Sequence, residues 1–133
     1  SVGRPAAGAV AAFLKDSSAD VRKVAIMGLG QIGGPELIPA IADAAGDVSK
    51  ANLQIRIAAA EALGGIRHPD ALPALTKLAG DPEPSVRQAT AAALGHIGGP
   101  KAAKVLEPLL KDPVASVRNA ARRAADAAAA KKD

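Results

Sequence analysis

The chain has 133 residues, 34 of them alanine, with one Phe, one Met and no Trp, Tyr or Cys; its formal net charge is +4, from 17 Lys and Arg against 13 Asp and Glu. Without cysteine there can be no disulfide or thiolate-metal framework, and with a single Phe and no Trp or Tyr there is no aromatic cage or base-stacking platform. The longest uncharged runs, Pro5 to Leu14, Val24 to Pro35 and Gln88 to Pro100, fall short of the roughly 20 apolar residues that span a bilayer, so no membrane insertion is expected and the chain reads as a soluble protein. No secretory or transit pattern is visible, and Ser1 in place of Met is compatible with a removed upstream segment. The compartment stays open, the cytoplasm being slightly favoured.

Four copies of one pattern run along the chain. Aligned on a hydrophobic-Arg pair they give Val21-Arg22, Ile55-Arg56, Val86-Arg87 and Val117-Arg118, with arginine spacings of 34, 31 and 31. A fixed period of this length signals a repeat architecture. The units are expected at residues 4–34, 35–68, 69–99 and 100–130, together forming a single domain over 1–133.

In the first unit the uncharged segment Pro5 to Leu14 predicts a first helix, and Ser17 and Ser18 fall at the start of a second. That second helix carries Val21, Ala25, Leu29 and Ile32, and Gly33-Gly34-Pro35 ends it. Its stretch Gly28-Leu29-Gly30-Gln31-Ile32-Gly33 also matches G-x-G-x-x-G, after the strand-like run Val24 to Met27 and with Asp47 near the expected distance. The equivalent segments Leu63-Gly64-Gly65-Ile66 and Leu94-Gly95-His96-Ile97-Gly98 read it instead as an ordinary helix end with one extra glycine.

The second unit has three extra residues between Asp47 and Arg56. In the third, Leu72, Leu75 and Leu78 make a helical stripe whose prolines lie in the first turn, where the missing N–H is not needed. Gly80-Asp81-Pro82 breaks that helix, with Asp81 suited to cap the next; Ser85 and, in the fourth unit, Ser116 also lie near helix starts. The fourth unit replaces the repeat glycine and isoleucine by Asp126 and Ala128. It belongs to a basic end, since residues 101–133 hold eight basic and four acidic side chains while the first hundred hold nine of each. Arg118, Arg122, Arg123, Lys131 and Lys132 are read as a solubilising cap over the stack, which terminal repeats need.

No helix pair of this kind buries its apolar face alone, so the units must stack. The Asp, the Val-Arg pair, the Ala-Leu-Gly, the Ile-Gly and the Pro, recurring over nearly the whole chain, resemble the HEAT repeat, and in particular the short HEAT-like repeats of phycobiliprotein lyases and related bacterial proteins. The resemblance implies an all-α, right-handed α-solenoid of four stacked two-helix repeats. It further implies a structural ladder of hydrogen bonds between neighbouring repeats, from Asp16, Asp47, Asp81 and Asp112 with Arg22, Arg56, Arg87 and Arg118. The row of second helices would line the concave side, with Lys23, Met27, Gln31, Ile57, Glu61, Gln88, Ala92, His96, Asn119 and Arg123 as the candidate partner surface.

The chemistry-bearing residues are sparse. His68 and His96 are the only histidines, and no His-Glu pair like that of HEAT-type di-iron hydroxylases accompanies them. No residue is assigned to catalysis, a metal or a cofactor, and the expectation is a chain that is not an enzyme: a protein-protein interaction module or scaffold subunit whose partner is another protein. The uncharged first helix lacks the polar outer face of a terminal repeat: either more protein precedes Ser1 or this end docks against a partner or another copy, and the end-on contact is the expectation. The resemblance carries the alternative of a phycobilin lyase-like protein or pigment-protein chaperone. A further alternative, contact of the basic last repeat with nucleic-acid backbone, is disfavoured by the even charge of the first hundred residues.

Overall fold

The structure is a computed structural model and describes residues 3–130. Its helices come in four pairs. The first is α1 (Gly3–Ala11), continued by a 3-10 turn at Ala12–Lys15, with α2 (Ala19–Ile32). The second is α3 (Ile38–Ala44) with α4 (Leu53–Ile66), and the third is α5 (Leu72–Leu78) with α6 (Pro84–Ile97). The fourth is α7 (Gly99–Leu106), continued by a 3-10 turn at Glu107–Lys111, with α8 (Ala115–Ala129). No strand occurs among the described residues, and no described helix is long and apolar enough to cross a membrane.

Within each pair the two helices pack on each other, and α2, α4, α6 and α8 form a row in which each lies against the next. The result is an all-α repeat solenoid with one apolar core running from Ala7 to Ala128. Leu29, Leu63 and Leu94, at the same position of successive units, are fully buried, each contributing about 1.5–3 kcal/mol through removal from water.

Alanine and glycine set the spacing of the row. A Cβ added to Gly30 would stand 2.8 Å from the Ala62 Cβ, one on Gly64 2.8 Å from that of Ala93, and one on Gly95 3.0 Å from that of Ala124. α2, α4 and α6 thus each offer a bare backbone eight residues after their arginine to the alanine six residues after the next arginine. Gly30 and Gly33 of the G-x-G-x-x-G stretch lie within α2 and at its end, where the sequence needs glycine for packing and termination.

Helix starts depart from expectation. Ser18 caps α2 by accepting the Val21 amide, but α6 and α8 take Glu83 and Val114 as N-caps, without a side-chain cap bond. Pro84 occupies the first position of α6, where its fixed φ suits helix entry, which pushes Ser85 inside the helix and Asp81 outside it. Asp81 instead closes the turn by accepting the Glu83 amide at 3.0 Å. Helix ends follow two solutions. Gly33-Gly34 and Gly98-Gly99 all have positive φ, whereas the α4 end uses Arg67 at φ 56, a left-handed conformation that costs a residue with a Cβ about 1–2 kcal/mol.

Candidate functional site

The repeat aspartates and arginines act first within their own unit. Asp16, Asp47, Asp81 and Asp112 each accept the backbone N–H two residues on, at 2.9, 2.9, 3.0 and 2.9 Å; such side-chain turns are natural to aspartate. Six residues on, or nine in the second unit, the arginine Nη1 donates to the same aspartate's carbonyl oxygen: Arg22 to Asp16 at 2.6 Å, Arg56 to Asp47 at 3.0 Å, Arg87 to Asp81 at 2.8 Å and Arg118 to Asp112 at 2.7 Å. Each turn is therefore fastened twice.

The remaining guanidinium nitrogens reach the next unit in two places. Arg56 Nε and Nη2 donate to the Asp81 carboxylate at 2.6 and 3.2 Å, with both side chains buried. Arg87 repeats this on Asp112 at 2.7 and 3.1 Å. The Arg87 bond, helped by the Val114 amide, holds the Asp112 carboxyl below the usual carboxylate range. Arg22 makes no such bond to Asp47. The three extra residues swing Asp47 into solvent, where the Ser49 amide and hydroxyl lower its pKa, and Arg56 spends its Nη1 on the carbonyls of Asp47 and Ser49. The expected ladder thus has two rungs of ion pairs, not one at every junction.

The candidate partner residues lie along the second-helix row. Met27, Gln31, Glu61, Gln88, Ala92, His96, Asn119 and Arg123 are exposed, and Lys23 and Ile57 are half-buried. Between α4, α6 and α8 the surface sinks into two shallow depressions of about 370 and 280 Å³ that share Ala92, Ala120 and Arg123. Ile57, Glu61 and Gln88 line one, and His96 lines the other. They form a trough with an alanine floor and a carboxylate, an amide, an imidazole and a guanidinium on its walls. Lys23, Met27, Gln31 and Asn119 stand outside it.

Other groups singled out in the sequence stay local. His68 Nδ1 accepts the Asp70 amide at 3.1 Å and so caps a short 3-10 turn. Among the described residues no group of three His, Asp or Glu could hold a metal ion. Arg122 and Arg123 are exposed on α8, and Lys131 and Lys132 lie outside the described residues. The Gly-on-Ala register was not read from the sequence, although its signal is there: glycine eight and alanine six residues after the arginine, in consecutive units.

A family model described as HEAT repeats matches residues 48–126, and one described as PBS lyase HEAT-like repeat matches residues 21–47. No curated protein matches the chain by sequence. Among solved structures, human deoxyhypusine hydroxylase in complex with glycerol is similar at TM-score 0.79 and 27% identity, over 94% of this chain and 44% of that one, so this chain spans less than half of the hydroxylase. The complex of CpcE and CpcF of phycocyanin lyase from Nostoc sp. is similar at TM-score 0.77 and 25% identity, over 92% of this chain and 82% of that one. An engineered protein follows at TM-score 0.61 and 25% identity, over 97% and 64%.

These neighbours correct the expectation of a chain that is not an enzyme. Two are enzymes by name, and the shorter family model is named for a lyase, which points toward an enzymatic role. The composition argument counted reactive groups within this chain alone, and the similar lyase is described as a complex of two chains.

Proposed function

Because the chain belongs to the HEAT-repeat family, we propose that it works as a protein-binding component of a lyase-type enzyme assembly, holding a partner protein along the trough of α4, α6 and α8. The observation that carries this reading is the trough itself. Its floor of Ala92 and Ala120 leaves room for a partner's helix or loop, and Glu61, Gln88 and Arg123 on its walls give that partner a direction. The Gly-on-Ala contacts and the buried Arg56–Asp81 pair fix the three helices relative to one another. A surface held in place before binding loses less side-chain and loop freedom on association. The similarity to a phycocyanin lyase complex supports both the protein partner and the lyase class.

Native mass spectrometry of the protein isolated from its source tests the reading. Ala92→Trp fills the trough and is expected to remove a stoichiometric protein partner, together with any lyase activity that copurifies. Lys77→Glu, on an exposed position of α5, is expected to leave both intact. Loss of the partner in both variants, or in neither, would sink the assignment of the trough.

A further inference from the structure

The trough on α4, α6 and α8 carries a charge pattern that the repeat itself aligns. Glu61, Ala92 and Arg123 each stand five residues after the repeat arginine, so they hold one repeat position on three successive helices and form a line across the row. All three are exposed, the middle one no less than the outer two. Glu61 and Arg123 are the only Asp, Glu, Lys or Arg residues lining the two depressions, and both border the one of about 370 Å³. Yet they do not neutralise each other. Among the described residues neither takes part in an ion pair, because packed helices lie about 8–10 Å apart and two such steps anchor the carboxylate and the guanidinium about 16–20 Å from one another.

Resting on the reading of the trough as a protein-binding surface, we propose that its occupant is a helix of the partner laid across α4, α6 and α8. That helix carries a cationic side chain over Glu61, an anionic one over Arg123 and a large apolar one over Ala92. A helix fits for two reasons. An extended segment would bring its own N–H and C=O groups onto the methyl groups of Ala92 and Ala120, which cannot pair with them, and no strand among the described residues offers an edge to extend; a helix pairs its backbone internally. The spacing also suits it. At 1.5 Å per residue the line spans about 11–13 residues, and three turns bring a helix back to the same face after about eleven. Both partner charges can therefore point at this surface from one helix, with a residue four or seven positions along facing Ala92.

Opposite signs at the two ends also decide what is rejected. A helix with like charges at these positions sets one of them against Glu61 or Arg123, which disfavours it by repulsion. A helix with the two signs exchanged satisfies both ends only by crossing the row in the other direction, so the pair fixes the polarity of the bound segment.

Carbodiimide cross-linking of the complex isolated from its source, with the full chain, is the test. The reagent joins a carboxylate to a lysine amine with loss of water, so Glu61 is expected to link to a partner lysine. Arg123→Lys keeps the charge and is expected to link to a partner carboxylate, with the two partner residues about eleven apart in one segment. Glu61→Gln and Arg123→Gln should each weaken binding about two- to fivefold and reduce its salt dependence, with circular dichroism unchanged. Ala92→Trp tells the two readings apart. If no protein accompanies the chain, or if Ala92→Trp leaves it bound, the trough is not the binding surface and the crossing helix falls with it. If Ala92→Trp removes the partner but the cross-links land on separate segments, or about five to six residues apart as in extended chain, the trough stands and the helix is overturned. Glutamine variants that bind like wild type would overturn the charge pairing in the same way.

Discussion

The junction between α2 and α4 and the junction between α4 and α6 share one kind of contact and differ in another. Both bring a glycine backbone onto an alanine, Gly30 on Ala62 and Gly64 on Ala93, with the same 2.8 Å clearance for an added Cβ. Only the second adds a buried ion pair, Arg56 with Asp81; at the first, Arg22 keeps to the Asp16 carbonyl while Asp47 stands in solvent. Close backbone packing is therefore enough to stack two repeats. The ion pair is a second fastening that depends on the length of the turn, and three extra residues remove it.

Breaking the ion pair separates the two junctions most. Arg56→Ala strips the buried Asp81 of its partner and is expected to destabilise by about 3–5 kcal/mol, whereas Arg22→Ala loses one charged hydrogen bond, about 1.5 kcal/mol; urea denaturation of both variants measures the gap. Removing the shared contact should hurt the two junctions alike. Gly30→Ala and Gly64→Ala each force a Cβ against backbone and are expected to cost about 1–3 kcal/mol, with Gly95→Ala at the lower end of that range because its clearance is 3.0 Å. Equal thermal shifts for Gly30→Ala and Gly64→Ala would support the view that packing is common to both junctions, and a harmless Gly30→Ala would undo it.

Acid gives a third handle. The Asp112 carboxyl is held below its ordinary value by Arg87, so its contribution is present above the unfolded carboxylate pKa of about 3.9 and fades as pH falls through the lower folded value. Asp112→Asn should therefore be less stable than wild type near neutrality, and the difference should shrink in acid melts below about pH 4. The smallest effect is expected in α1, where a Cβ on Gly8 would meet nothing within 4 Å. Gly8→Ala there should raise stability by about 0.5–1 kcal/mol through helix propensity alone, with the sign opposite to Gly64→Ala, as differential scanning calorimetry would show.

What the sequence made legible follows from periodicity. The spacing of arginine, glycine and proline was sufficient to place four helix pairs. Three features escaped because they depend on who meets whom across the stack. The partner of Gly64 is Ala93, in the next unit, and nothing local to either residue names the other. The failed Arg22–Asp47 rung turns on where a longer loop carries one carboxylate. The α4 end shows the third: the first and third second helices end on a glycine pair, whereas the second ends on Arg67 in a left-handed conformation, which no local residue preference asks for. The trough, by contrast, gathers Ile57, Glu61, Gln88, Ala92, His96 and Arg123 from three units, all readable as outward positions, yet only stacking shows that they adjoin while Lys23, Met27, Gln31 and Asn119 do not.

The doubled fastening of each turn has a consequence in time as well as in structure. Its bonds join residues two and six apart, or nine in the second unit, so closing them costs little loop entropy, and folding can begin at any of the four turns and spread by stacking. Opening runs in the reverse order. The α4 and α6 helices each lie between two second helices of the row, so they are expected to be the last to exchange their amides with water.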